Sequence, residues 1–316
     1  MTKSRRRIFV FSLVLVMIFG MLSTNALATN EILSRAVNSP SEYDGHTVTE
    51  DVDGRYYLSI SSVANKNVWS YSRTNVSING VKLAVQGLVI NGTHYIPARA
   101  AANTLGVSYT YDSNARSARM VSDGLELTMG DGCYVNYANG RVLFSMTPNV
   151  IMSDGRLYVP ASSFVKAIGM TAKSSSGELA ITGSFKPIIS AEKFYREDEV
   201  LWLGRIIHAE AEGEPLLGKI AVGNVVLNRV KSAYYPNTIY GVIFDRKYGV
   251  QFSPILNGTI YNTPNYNSTL AAKICLEGFD VANGAFFFLQ PSLSTSSWIP
   301  KNREYTFTIG NHDFYK

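Results

Sequence analysis

Three glutamates stand at alternate positions in the run His208-Ala209-Glu210-Ala211-Glu212-Gly213-Glu214-Pro215. A carboxyl can give or take a proton at a leaving oxygen, provided its pKa is brought near the working pH. Pattern separates the three. Val200, Leu203, Ile207 and Glu210 follow spacings of 3, 4 and 3, which trace one face of a helix. An apolar stripe therefore ends in a carboxyl. Glu197 and Asp198 suit the start of that helix, where acids meet the positive end of the dipole. Gly213 and Pro215 break it. Glu210 is thus expected at a corner between two helices, at a cleft edge and partly out of water. Desolvation disfavours the charged form and lifts a glutamate from ~4.3 toward ~6–7, where it can protonate a leaving oxygen. The pattern fits equally a solvent-facing Glu210, or one capping the next helix. Glu212 points off the stripe and reads as a solvated charge. Glu214 either caps the second helix or serves as a second carboxylate.

The elements that would hold these groups can be read outward from the corner. Pro215 can open a second helix at its first turn. That helix carries Leu216, Ile220, Gly223, Leu227 and Val230, with Val222, Val225 and Val226 alongside. It is apolar nearly all round, so a central buried position is expected. A helix comes next over 268–277, with Asn267 or Ser268 as its N-cap. An apolar strand is expected over 285–289. Tyr305–Ile309 and His312–Tyr315 should close the chain as a hairpin about Gly310-Asn311. Trp298, Tyr261 and Tyr266 are candidates to line a groove, or to serve in core and loops. His208 and Glu210, two apart on a helix, face different ways, so no metal site is expected there.

The corner and the stretch after it carry a resemblance. Glu210-Ala211, Gly213-Glu214-Pro215, Gly218, Ala221-Val222 and Asn228-Arg229-Val230 occur in order. Tyr235-Pro236-Asn237-Thr238-Ile239, Gly241-Val242-Ile243-Phe244 and Gln251-Phe252-Ser253-Pro254 come after them. This series resembles the SleB/CwlJ-type cell-wall hydrolases, which include the spore cortex-lytic enzymes. The resemblance implies a lysozyme-like fold and cleavage of the MurNAc–GlcNAc bond of peptidoglycan. It favours a lytic transglycosylase, in which one glutamate acts as acid and then base without a cofactor. Glu210 takes the catalytic role, with Glu214, Gln251, Ser253, Phe287 and Gln290 as supporting or substrate-binding candidates. Turn hydrogen bonding is an equal reading of Gln251 and Ser253. A hydrolytic muramidase would need a second carboxylate, and Asp245, Glu277 and Asp280 stand in unremarkable contexts. The chain departs from the family at His208, where a small or aliphatic residue is usual. It departs again over 286–291, where Phe and Gln replace His and Asn.

The first half contains a repeat. The stretches 90–112 and 153–175 align at an offset of 63, with Asn91-Gly92 on Asp154-Gly155, Tyr95 on Tyr158, Pro97 on Pro160 and Gly106 on Gly169. Each copy reads as a tight turn, a short strand, a proline, a helix (99–105 and 162–168), a helix-ending glycine and a strand (107–111 and 170–173). The pattern resembles the copper amine oxidase N-terminal-like stalk module, which implies a non-catalytic spacer or wall-adhering unit. Of the four histidines, only His94 lies inside the repeat.

The N-terminus joins Lys3, Arg5, Arg6 and Arg7 to an apolar run over 8–22 and Ala26-Leu27-Ala28. This is a secretory signal pattern with cleavage expected after Ala28; an uncleaved membrane anchor is the alternative. The net charge of +5 owes four of its charges to those basic residues, leaving 25 basic against 24 acidic side chains. Nucleic acid binding loses its electrostatic basis accordingly. Cys133 and Cys275 could form one disulfide, but two buried, unpaired cysteines are expected. The expected architecture is α+β: signal peptide 1–28, linker 29–69, strand-rich tandem-repeat stalk 70–187, and lysozyme-like catalytic domain 192–316. The expected function is that of an exported, peptidoglycan-cleaving glycosidase acting in the cell wall or spore envelope. A cell-envelope or spore-associated protein is the candidate protein partner. The competing class is an envelope protein that grips glycan without cutting it. A peptidase ranks last, because no Ser/His/Asp or Cys/His constellation is visible.

Overall fold

The computed structural model describes residues 46–50, 56–60, 71–151, 154–247, 249–294 and 297–316. The expected signal segment and Ala28 lie outside these residues. So does most of 29–69, although His46–Glu50 and Tyr56–Ile60 pair as antiparallel strands within it. The described residues divide into two compact units, one ending at Phe194 and the other beginning at Tyr195. The division falls three residues beyond the expected start at 192. The short helix Ala191–Phe194 belongs to the first unit, where Ala191 N–H donates to Asn139 O (2.9 Å) and Arg141 stacks 3.4 Å over the Phe194 ring.

In the first unit the repeat is a structural repeat. Its helices are Ala98–Leu105 and Ala161–Ile168, each ending at a left-handed glycine, Gly106 (φ 68°) and Gly169 (φ 66°). An L-side chain resists that conformation, which is why glycine recurs there. The preceding strands, Thr93–Pro97 and Leu157–Pro160, lie side by side and antiparallel. Ile96 faces its own counterpart Val159, while Tyr95 faces Pro160 and Tyr158 faces Pro97. With an offset of 63, this register places a pseudo-twofold axis between Ile96 and Val159. The strands after the helices part company. Ser108–Asp112 starts a five-stranded antiparallel meander ending at Arg141–Phe144. Thr171–Ser175 instead pairs with Glu178–Thr182, which runs parallel to Tyr71–Ile78. Ile96, Met120, Leu127, Met129, Val159, Phe164 and Ile181 form the shared core.

The second unit is α+β. Helices Glu197–Ala211, Leu216–Lys231 and Tyr266–Leu276 pack together beside a three-stranded sheet whose order is Phe287–Leu289, His312–Tyr315, Tyr305–Ile309. The middle helix is buried along most of its length, as its all-round apolar pattern requires. Gly223 sets its closest approach to the other two helices. A Cβ there would lie 2.8 Å from both Cys275 Sγ and Ile207 Cδ1. The third helix starts earlier than expected. Asn265, not Asn267 or Ser268, is its N-cap, and its side chain accepts from Ser268 N–H at 2.8 Å. Cys133 and Cys275 are both buried and unpaired. No helix among the described residues is long and apolar enough to cross a membrane.

Candidate active site

Glu210 is the penultimate residue of Glu197–Ala211, below Leu203, Ile206 and Ile207, which are fully buried. Its side chain retains some solvent contact. Burial pushes its carboxyl up to about 7, opposed by the positive charge of Arg229. Among the described residues no hydrogen bond or ion pair to this carboxyl is formed. A neutral carboxyl of this kind keeps both oxygens free for a substrate.

The corner beyond it is held by a residue whose role could not be read from its spacing. Lys219, on the second helix, is buried and points its ammonium back at the corner. It donates to Glu212 O at 2.7 Å and to Glu214 O. Glu212 O lies just past the last turn of the first helix, where carbonyls lack intrahelical partners, and Glu214 O just before the second helix. A cation there also meets the negative end of the dipole.

Glu214 is buried, and it neither caps the second helix nor stands free as a second carboxylate. It accepts from Asn311 N–H (2.9 Å) and Asn311 Nδ2 (3.0 Å), and its Oε1 lies 3.8 Å from His312 Nδ1. Glu214 therefore ties the corner to the turn of the closing hairpin. That turn must contain glycine: Gly310 has φ 57°, and a Cβ there would overlap Glu214 Oε2. Burial lowers the His312 pKa, so this imidazole is held toward its neutral form. Glu212 is solvated, as expected, with His208 Nδ1 3.9 Å away.

Arg229 is the component missed at the sequence level. It is buried near the end of the second helix. Its guanidinium carbon lies 5.2 Å from the Tyr235 ring, 5.1 Å from Phe252 and 5.4 Å from Phe287. Its Nε donates to Phe286 O at 2.8 Å, and its Nη1 is buried without a protein acceptor. Burial lowers its pKa, and the fields of Tyr235, Asp245 and Glu210 oppose the shift. The available signal was its place in the Asn228-Arg229-Val230 motif, near the end of a mostly apolar helix. Two more polar residues of that helix fasten the next loop. Asn224 bonds to Phe279 O (2.8 Å) and Val281 N–H (2.9 Å), and Asn228 to Ala285 O (3.1 Å).

The other candidates separate around this cation. Phe252 anchors the Gln251–Ser253 segment against Arg229, while Gln251 itself bonds to Gly249 O (3.0 Å) and Ser253 is exposed. Phe287 faces Arg229 and also Arg303 (4.6 Å). The Gln290 side chain donates to Ser292 Oγ (3.2 Å), a local contact within its own loop. Asp245 accepts from Lys247 N–H, Asp280 from Ala282 N–H, and Glu277 from the Tyr195 hydroxyl. Of those three acids, only Asp245 acts on Arg229 as Glu210 does. Trp298, Tyr261 and Tyr266 all reach the surface. Tyr261 joins an aromatic cluster with Trp202 (6.3 Å), whose ring also meets Tyr240 (5.1 Å) and Phe244 (5.4 Å).

Fold and site together define an α+β domain in which a largely buried, uncharged-leaning carboxyl, Glu210, feels the charge of a buried arginine, Arg229. Comparison with known proteins gives that class a family. Residues 213–315 match the cell wall hydrolase family, and residues 75–182 match the copper amine oxidase N-terminal domain. The chain thus joins a domain of each kind. The spore cortex-lytic enzyme of Bacillus cereus is 37% identical over 122 residues, covering 39% of this chain and 46% of that protein. The spore cortex-lytic enzyme of Oceanobacillus iheyensis is 32% identical over 130 residues, covering 41% and 46%. The solved catalytic domain of the germination-specific lytic transglycosylase SleB from Bacillus anthracis shares 37% identity. That match covers 39% of this chain and 97% of that domain, with a TM-score of 0.36. The chain spans about half the length of these two curated relatives. Glu210 stands three residues before the stretch matched to the family, so its assignment rests on the geometry above.

Proposed function

We propose that this protein is an exported enzyme that cleaves the glycan strands of peptidoglycan at MurNAc–GlcNAc bonds, with Glu210 as its single acid and base. The observation that carries the proposal is the Glu210 carboxyl, lifted to about 7 by burial and free of hydrogen bonds among the described residues. The relatives named as cortex-lytic enzymes and a lytic transglycosylase support the substrate class. At neutral pH the protonated carboxyl hands its proton to the bridging oxygen as the C1–O bond breaks. The electron pair leaves with the GlcNAc oxygen, and positive charge develops at muramyl C1. Glu210, now a carboxylate, is stabilised by the Arg229 field. It takes the proton of the muramyl 6-hydroxyl as O6 attacks C1, which closes a 1,6-anhydro ring and restores the acid. This cycle needs one carboxyl whose pKa lies where it can both give and take. The engagement of Glu214, Asp280 and Glu277 by hydrogen-bond donors favours it over a two-carboxylate hydrolysis.

Export follows from the substrate, which lies outside the cytoplasm, and from the N-terminal signal pattern with cleavage after Ala28. We assign the domains at 70–187 and 192–316 to wall adhesion and catalysis. The test is Glu210→Gln on purified peptidoglycan. Lysis should fall on the order of 10³-fold, and the wild-type products should carry anhydro-muramyl ends by mass spectrometry. Undiminished lysis by the variant overturns the site; reducing muramyl ends overturn the transglycosylase.

A further inference from the structure

The first unit contains a cleft of about 570 Å³ that the proposed catalysis does not use. Arg99 and Asn103, four apart on Ala98–Leu105, form one wall. Tyr109 and Tyr111, two apart on Ser108–Asp112, form another from the same strand face. The Asp154-Gly155-Arg156 turn of the second copy closes the end. Arg99 stacks 5.0 Å over Tyr109, and Arg156 pairs with Asp154 at 2.7 Å. Among the described residues no carboxylate pairs with Arg99.

The pseudo-twofold repeat supplies an internal control. At the offset of 63, Arg99, Asn103, Tyr109 and Tyr111 correspond to Ser162, Lys166, Ala172 and Ser174. Both copies form a helix and a following strand, although those strands pair with different neighbours and Tyr109 also packs on the core. The first copy alone sets an arginine and two tyrosines at this cleft. We propose that this cleft is a non-catalytic binding site for an acidic amino-sugar strand, holding about a disaccharide. Tyrosine faces pack against the C–H surfaces of sugar rings. Asn103 and Asp154 suit hydroxyls and N-acetyl groups. Arg99 suits a carboxylate, which it can bind through two parallel hydrogen bonds. The choice of strand rests on the peptidoglycan reading of the other unit; the cleft itself does not.

The test uses the full chain carrying Glu210→Gln, so that strands stay intact, sedimented with peptidoglycan sacculi stripped of teichoic acid. Arg99→Ala with Tyr111→Ala should raise the half-saturating concentration at least tenfold. Tyr111→Phe and the mirror-site Lys166→Ala should leave it unchanged. If the double variant melts early, Arg156→Ala, an exposed position, should show the same loss. Unchanged binding by the double or Arg156 variants overturns the site. Binding that vanishes once teichoic acid is removed assigns the cleft a phosphate polymer instead and overturns the sugar strand. The two proposals fail separately. Lysis that survives Glu210→Gln removes the catalytic reading and leaves the cleft result standing. Unaltered sedimentation of the cleft variants leaves the catalytic reading standing.

Discussion

Replacing Glu210 by glutamine should abolish activity and stabilise the fold at the same time, and the second effect depends on pH. The folded-state pKa is about 7, against 4.5 for a free glutamate. The folded state therefore holds a proton that the unfolded chain has released between those values. Stability falls as pH rises wherever the native state binds more protons. Below about 4.5 both states are protonated and the carboxyl costs nothing extra. From there to about 7 the cost grows, and above 7 it is constant. A shift of this size is worth about 3 kcal/mol at ~1.4 kcal/mol per unit. Glutamine has the same shape and no charge to desolvate. The variant should thus gain about 3 kcal/mol over wild type at pH 8, and little at pH 4.5. In a unit of this size the gain amounts to on the order of 10 °C in Tm. Thermal and urea unfolding of both proteins from pH 4.5 to 8.5 measures it. A stability difference that does not change with pH would refute the reasoning, because the carboxyl would then be hydrated in the folded protein.

Two other perturbations probe the same site. Arg229→Gln removes the cation that holds the Glu210 pKa down, so the alkaline limb of the pH–rate profile should move to higher pH. The rate should also fall at least tenfold, since the glutamate anion formed after proton transfer loses its partner charge. A limb left in place would show that the two charges do not interact. Gly310→Ala places a Cβ against Glu214 Oε2 at a left-handed position. The unit should lose at least ~2 kcal/mol by urea denaturation, and an unchanged midpoint would dissociate the Glu214 contact from stability.

Much of this protein was legible from local signals. The stripe Leu203, Ile207, Glu210 gave the helix face, because a 3.6-residue period is a property of the chain itself. The glycines after the repeat helices announced left-handed ends, and the Gly310-Asn311 hairpin followed from its turn residues. Such features depend on residues a few positions apart. The motif series from Glu210 to Pro254 named a family for the same reason, since order along the chain was enough. The remainder was settled by folding, through contacts between residues distant in sequence. Glu214 and Asn311, 97 positions apart, meet at the corner. Arg229 gathers Tyr235, Phe252 and Phe287 around it and sets the field that Glu210 feels. The repeat was visible as an alignment, but the pairing of Ile96 with Val159 was not. A pKa is of this second kind. It is fixed by how much water and which charges surround a group, and a sequence specifies those only by folding.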